Sequence, residues 1–274
     1  MNIIIFGLTS DIGAYIAQKY SEQGFNIFGT YRSKDHKNQV KKLLPSSQLV
    51  FCDASSTSSI DNATADILNL CNKWDIFISC PCTPEPIKEF HNSDIDQWER
   101  SFYINSLSQL RFLRNIHNSR NINRINSNPL VLFFAGGGTN NAVNSFSAYT
   151  SAKIHLIKMI ELMAFEDQET KYSIIGPGWT NTKTHLDTLK YADPASEKYK
   201  EVVSFIQNPI NATPLSDIFE CIRWIDEQSI ATVSGRNFSV VNDKWKGPDS
   251  HELVSELNRD SNMYKLRRHR NNWQ

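Results

Sequence analysis

Short apolar runs rich in β-branched residues alternate with helical patterns along nearly the whole chain, and this alternation restricts the possible folds more than any other feature. The first run, 2–6 (NIIIF), ends at Gly7 and precedes a helical pattern from 12 to about 23. Such a run is typical of a buried parallel strand. Further strands are predicted at 25–31, 48–53, 75–80, 129–135, 172–176 and 236–241, and further helices at 35–44, 55–73, 94–117, 145–166 and 214–227. The pattern predicts a doubly wound parallel sheet with helices on both faces, in a three-layer α/β/α arrangement.

One stretch, 181–213, breaks the alternation. It contains Pro194, Pro209 and a charged, helix-like piece at 195–206. A long irregular insertion at the carboxyl end of a strand is where substrate loops belong. We therefore expect a single domain over 1–245 that includes this loop. The remaining 246–274 form a C-terminal extension, whose Tyr264 and Trp273 are predicted to dock on a neighbouring subunit.

Composition excludes several classes of protein. The 274 residues carry 29 basic and 29 acidic side chains, so no net charge attracts the chain to nucleic acid or to an anionic membrane. The basic run 265–270 (KLRRHR) indicates a solvated tail or a subunit contact. No apolar run approaches the ~18 residues that span a bilayer. The N-terminus has no signal-peptide pattern. A small-molecule substrate and a cytoplasmic location are predicted.

The five cysteines argue against a disulfide framework, because their number is odd and the chain is not small. Cys80 and Cys82 flank a proline and invite a metal interpretation. A zinc site needs about four ligands, however, and no second Cys/His pair with ligand spacing follows. No metal is therefore predicted.

The turn between the first strand and the first helix has the composition of a pyrophosphate site. Glycine there lets the backbone approach the ligand, and the helix N-terminus favours negative charge. Position 11 would usually hold a third glycine but is Asp11, which we expect to cap backbone N–H groups while pointing away from the ligand. The predicted binding residues of this turn are Gly7, Thr9, Ser10, Asp11, Ile12 and Gly13.

The end of the second strand indicates which cofactor is bound. A carboxylate there would bind the ribose 2′-OH of NAD, whereas an arginine would accommodate the 2′-phosphate of NADP. The chain has Arg32 there and no acid before Asp35. The planar guanidinium suits phosphate, so NADP(H) is predicted to be preferred over NAD(H).

A tyrosine and a lysine four positions apart, Tyr149 and Lys153, share one face of the predicted helix 145–166. A phenol titrates near ~10, and a nearby positive charge lowers that pKa by favouring the phenolate. The pair is therefore a candidate acid–base device. A partner that holds the substrate oxygen is expected upstream, where the chain offers three glycines at 136–138.

Together these motifs resemble the short-chain dehydrogenase/reductase family, over about residues 1–245. The motifs that come in the family's order and spacing are the Gly7–Gly13 turn, Asp53, Asn105, Tyr149-x-x-x-Lys153 and Pro177-Gly178-x-x-x-Thr182. The resemblance implies a Rossmann-type domain that transfers hydride between NAD(P)(H) and a carbonyl or alcohol. It also implies a homodimer or homotetramer joined through the helices 94–117 and 145–166.

Residue roles follow from the resemblance alone. Tyr149 would protonate the carbonyl oxygen, and Lys153 would lower its pKa and bind the nicotinamide ribose. Asn105 would help to hold a proton-relay water, and Asp53 would contact the adenine. The resemblance places the nicotinamide carboxamide against Thr182 and the backbone near Thr180, beside Pro177 and Gly178.

The chain departs from the family pattern at two further places. The Asn-Asn-Ala-Gly segment after the fourth strand is replaced by Ser79-Cys80-Pro81-Cys82. The family's catalytic serine is replaced by Gly136. Losing one oxyanion donor typically costs ~10²–10³ in rate. Either Thr139 or the backbone N–H groups of 136–138 would replace the serine, or this segment is only a tight turn.

These observations predict an NADPH-dependent carbonyl reductase. A sugar derivative of surface-glycan synthesis is one suggested substrate, on a loose likeness to members of such pathways. The alternative is an NADP(H)-binding protein without turnover, a sensor or scaffold, because the serine is missing.

Overall fold

A computed structural model describes residues 1–125 and 127–268. Seven parallel strands form one sheet in the order β3-β2-β1-β4-β5-β6-β7. The strands are β1 (Asn2–Phe6), β2 (Asn26–Tyr31), β3 (Gln48–Phe51), β4 (Ile76–Ser79), β5 (Leu130–Phe134), β6 (Lys171–Gly176) and β7 (Arg236–Ser239). The predicted doubly wound sheet is confirmed. The strand order reverses between β1 and β4, and a crevice at such a point is where ligands of open α/β sheets bind.

Helices cover both faces of the sheet. Those before β5 are α1 (Asp11–Glu22), α2 (Lys34–Leu43), α3 (Thr57–Leu70), α4 (Ile95–Phe102) and α5 (Ser108–Ile116). Those after β5 are α6 (Ser147–Glu166), α7 (Lys183–Tyr191), α8 (Glu197–Gln207), α9 (Leu215–Glu227), α10 (Ile230–Val233) and α11 (Ser250–Arg259). None of the helices in the described ranges is long and apolar enough to cross a membrane.

Strand β1 shows why the apolar runs predicted the sheet so well. Ile3 and Ile5 point into one apolar core, and Ile4 and Phe6 point into the other. All four side chains are at most 1% exposed. Because successive side chains of a strand face opposite sides, a strand covered on both faces must be continuously apolar.

Three predicted segments differ in detail. The predicted helix 94–117 is divided into α4 and α5 by a π-helical segment, Tyr103–Leu107. The stretch 181–213 is not irregular, because it folds into α7 and α8. The described part of the C-terminal extension packs on its own domain: Leu253 and Leu257 of α11 are buried in the core, and the ring of Tyr264 lies 5.6 Å from that of Phe238. Trp273 lies outside the described residues.

Candidate active site

A cleft of about 400 Å³ opens at the carboxyl edge of the sheet, above the point where the strand order reverses. Its walls come from the segments that follow strands β1 to β6 and from α6. Twelve of the predicted site residues line it: Gly7, Thr9, Ser10, Asp11, Ile12, Arg32, Tyr149, Lys153, Pro177, Gly178, Thr180 and Thr182. The remaining five, Gly13, Asp53, Ser79, Asn105 and Thr139, do not line the cleft. The motifs predicted from the sequence therefore converge on one place.

The turn after β1 is so tight that two of its positions require glycine. Gly7 has φ +75°, and a Cβ at Gly13 would lie 2.8 Å from both the carbonyl oxygen of Gly7 and Oγ of Ser10. Ser10 is the N-cap of α1, and its hydroxyl accepts a hydrogen bond from the backbone N–H of Gly13 at 3.1 Å. Gly13 thus supports the turn from below, while the start of α1 faces the cleft. This geometry suits a pyrophosphate.

The sequence suggested that Asp11 caps its own helix, α1, but the structure shows a different role. Its Oδ2 accepts a hydrogen bond from the backbone N–H of Lys183 at 2.7 Å, and its Oδ1 lies 3.7 Å from the Lys183 ammonium. Ser10 already performs the capping of α1, so the carboxylate is available for the first residue of α7. Asp11 therefore ties the substrate loop to the cofactor turn.

Arg32 follows β2 and lines the cleft, as do Ser33 and His36. Within 1–125 and 127–268, no carboxylate approaches its guanidinium within 4.0 Å. Oδ1 of Asp53 accepts hydrogen bonds from the backbone N–H of Ser55 at 2.9 Å and from its hydroxyl at 2.8 Å. The adenine contact that the resemblance implies for Asp53 stays a prediction.

The segment after β6 supplies a buried hydroxyl with no partner. Thr180 is 4% exposed and lines the cleft, and its Oγ1 has no hydrogen-bond partner within the described ranges. A buried hydroxyl without a hydrogen bond is costly. An amide group placed in the cleft would satisfy it, so the residues present fit a nicotinamide carboxamide at this end.

Tyr149 and Lys153 meet on α6 inside the cleft. Nζ of Lys153 lies 5.7 Å from the centroid of the Tyr149 ring, and Lys153 is only 3% exposed. Burial lowers the pKa of Lys153, although the neighbouring thiols of Cys82 and Cys80 favour its charged form. Burial and the adjacent Cys82 thiol raise the pKa of Tyr149 well above its ordinary value. The expected lowering by Lys153 is thus not seen here, because desolvation dominates. A phenol protonated at neutral pH can act as an acid.

Gly136 lies directly beneath the Tyr149 ring. A Cβ at Gly136 would meet Cε1, the hydroxyl oxygen and Cζ of the tyrosine at 2.4, 2.6 and 2.7 Å. Tyr149 also packs against an apolar cluster of which Phe146 is a buried member. The glycine that replaces the family's serine therefore accommodates the tyrosine in this position. Thr139 is half-buried and does not line the cleft, and its replacement of the serine stays a prediction.

Ser79 and Asn105 do not line the cleft, but they belong to a hydrogen-bond network that supports its wall. The Ser79 hydroxyl donates to Oε1 of Gln109 at 2.8 Å. The Asn105 amide donates to the carbonyl of Thr83 at 2.8 Å and accepts from its N–H at 3.0 Å, and Nε2 of Gln109 donates to the carbonyl of Pro81 at 3.1 Å. Asn105 of the π-helical segment and Gln109 of α5 thus hold the backbone on both sides of Cys82.

Cys82 lies in the cleft, a position that the sequence did not indicate. Its side chain is exposed toward the cleft, and it lines the same wall as Tyr149 and Lys153. Surrounding protein atoms raise the pKa of its thiol, and Lys153 partly offsets that rise. No group of three or more His, Cys, Asp or Glu side chains that could hold a metal ion occurs among the described residues. The replacement of Asn-Asn-Ala-Gly after β4 was the signal that this wall is unusual.

Comparison with known proteins agrees with this geometry. A family model described as "Enoyl-(Acyl carrier protein) reductase" matches residues 7–235. A search of curated proteins gave no match. Among solved structures, a short-chain dehydrogenase/reductase from Saccharomyces cerevisiae is 20% identical, with a TM-score of 0.77 and coverage of 89% of this chain and 96% of that chain.

Two further structures of similar fold hold a cofactor. A short-chain dehydrogenase from Shigella flexneri, complexed with NADP, is 15% identical with a TM-score of 0.70, covering 87% of this chain and 96% of its own. An actinorhodin polyketide ketoreductase with NADPH is 17% identical with a TM-score of 0.74, covering 87% and 95%. The family model spans most of the chain, and the seven-stranded parallel sheet is the fold of the similar structures. The chain belongs to the short-chain dehydrogenase/reductase family of oxidoreductases.

Proposed function

We propose that the protein is an NADPH-dependent reductase of a carbonyl compound. The observation that carries this proposal is that Tyr149 and Lys153 share one cleft with the turn after β1 and with Arg32. The cofactor supplies the hydride when it is bound. Tyr149 holds the proton that the carbonyl oxygen receives.

In this proposal, different residues of the cleft bind different parts of the cofactor. Arg32 and Ser33 would bind the 2′-phosphate, and the turn Gly7–Gly13 would bind the pyrophosphate. The buried hydroxyl of Thr180 would bind the nicotinamide carboxamide, and Lys153 would bind the adjacent ribose. The cofactors of the two structural relatives, NADP and NADPH, support the same assignment.

Cofactor preference provides the test. NADPH should raise the melting temperature more than NADH at equal concentration, because a ligand that binds only the folded state stabilises it by mass action. Arg32→Ala should weaken NADPH binding about tenfold, which is ~1.4 kcal/mol. At this chain length that loss corresponds to roughly 3 °C of the NADPH-induced shift.

Lys34→Ala is the matched control, because Lys34 is a cation two positions away that does not line the cleft. Its NADPH shift should equal that of the wild type. Equal stabilisation of the wild type by NADPH and NADH would contradict the NADP assignment.

The remaining hypotheses concern the alternative function, the sugar substrate and the oligomeric state. The comparisons give no support to a cofactor-binding protein without turnover, and the sugar substrate stays a sequence-based prediction. We also propose a homodimer or homotetramer, since α6 leaves Leu162 43% and Phe165 85% exposed, and Leu107, ahead of α5, is 43% exposed. Light scattering on the purified protein checks this, and a monomer at all concentrations would contradict it.

A further inference from the structure

A second cavity of about 350 Å³ lies next to the cleft and is hereafter called the recess. It is lined by Thr83, Glu85, Pro86, Ile87, Lys88, Gln97, Arg100, Ser101, Ile104 and Tyr191. Ile104 lines both cavities. The recess is therefore separated from the cleft by the thickness of one side chain.

Two stretches of chain run from one cavity into the other. After β4, Cys82 lines the cleft and the next residue, Thr83, lines the recess. On α7, Asp187 lines the cleft and Tyr191, one turn later on the same helix face, lines the recess. Cys82 also lies beside Tyr149. The remaining part of a molecule whose carbonyl reaches the phenol can therefore extend into the recess.

The recess has an apolar floor and a cationic mouth. Pro86, Ile87 and Ile104 are buried at its floor, whereas Lys88 and Arg100 are exposed at its mouth. Within 1–125 and 127–268, no carboxylate lies within 4.0 Å of either cation, and that includes Glu85. The floor suits an aliphatic chain, and two unpaired cations against one carboxylate suit an anion.

The cleft itself carries charges of both signs. Asp187 lines it, but so do Lys153, beside Tyr149, and Lys183, at the start of α7. The preference for an anion at the distal end of the substrate therefore depends on Lys88 and Arg100, which would hold that group while the carbonyl reaches Tyr149.

We propose that the recess binds the distal part of the substrate, and that the substrate is a carbonyl compound whose aliphatic chain ends in a carboxylate or phosphate. This proposal rests on the proposed reductase function. Cofactor binding tests that function separately, because Arg32 is remote from the recess, so the two can fail independently.

The experiment measures binding to the protein saturated with NADP⁺, which cannot reduce a ketone. The probes are levulinate and its longer aliphatic homologues, each compared with its own methyl ester by titration calorimetry. The acid should bind more tightly than the ester. Arg100→Ala should reduce that preference about fivefold, the most that an exposed ion pair typically provides. Phosphate-terminated analogues then show which anion is preferred.

Arg114→Ala is the matched control, because Arg114 is an exposed arginine on α5 that does not line the recess. Its preference for the acid should equal that of the wild type. Lys88→Ala, outside any helix or strand, tests the same mouth if the Arg100 variant folds poorly, and the NADPH-induced melting shift reports folding in each. Equal binding of acid and ester, no saturable binding of any homologue, or an unchanged preference in both recess variants would overturn the proposal.

Discussion

Replacing Gly136 by serine should destabilise this protein, although serine is the residue that the family pattern has at this position. The new Cβ would lie 2.4–2.7 Å from three atoms of the Tyr149 side chain. Contacts that short force either the ring or the backbone to move. The Phe146 ring, 6.4 Å away between centroids, limits movement of the Tyr149 ring in one direction, and the cleft that Tyr149 lines leaves room in another. Overpacking of this kind typically costs about 1–3 kcal/mol.

Gly137→Ser is a matched control in the next position. A Cβ there would meet nothing within 4 Å. Both substitutions reduce the freedom of the unfolded chain to the same extent, so that contribution cancels when the two variants are compared. Gly136→Ser should therefore be less stable than Gly137→Ser by about 2 kcal/mol, or roughly 4 °C in melting temperature at this chain length.

Urea unfolding of both variants, with and without Tyr149→Ala, measures the effect. Removing the ring creates space, so the cost of Gly136→Ser should largely disappear in the Tyr149→Ala background. The reasoning is refuted if the two serine variants are equally stable within about 0.5 kcal/mol, the usual range for a surface substitution. It is also refuted if the cost persists without the ring.

Three further predictions concern the proton donor, the substrate loop and the C-terminal segment. Tyr149→Phe should preserve NADPH binding but reduce turnover by ~10²–10⁴, the range of general acid catalysis; wild-type turnover of a good substrate would exclude this donor. Asp11→Ala should speed NADPH release about fivefold in stopped-flow fluorescence. The variant loses the hydrogen bond to Lys183, and such a bond contributes about 1 kcal/mol. Asp11→Asn keeps an acceptor for that N–H and should release at the wild-type rate; equal acceleration in both variants would show that charge matters instead. Burial would raise the pKa of Glu161, but Arg267 and a neighbouring lysine lower it to about 2. Glu161→Gln should therefore be less stable than the wild type above about pH 4.5; the difference should vanish as the pH falls toward 2, and a difference independent of pH would contradict it.

Much of the fold and of the site is readable in the sequence because it depends on local pattern. Strand β1 is continuously apolar since both of its faces are covered, and the strand–helix alternation then leaves few topologies. Gly13 is required by close contacts with Gly7 and Ser10, which are near it in sequence. Tyr149 and Lys153 share a helix face because they are four residues apart. The position of Arg32 at a strand end also follows from the alternation.

The remaining features depend on contacts between distant parts of the chain. Asp11 and Lys183 are 172 positions apart, and no local pattern indicates that the carboxylate binds α7 rather than capping α1. Only the packing of α6 onto the segment after β5 shows that Gly136 makes room for Tyr149. Secondary structure follows from periodicity within a segment, whereas the use of each polar or small residue is decided by whichever group the folded chain places against it.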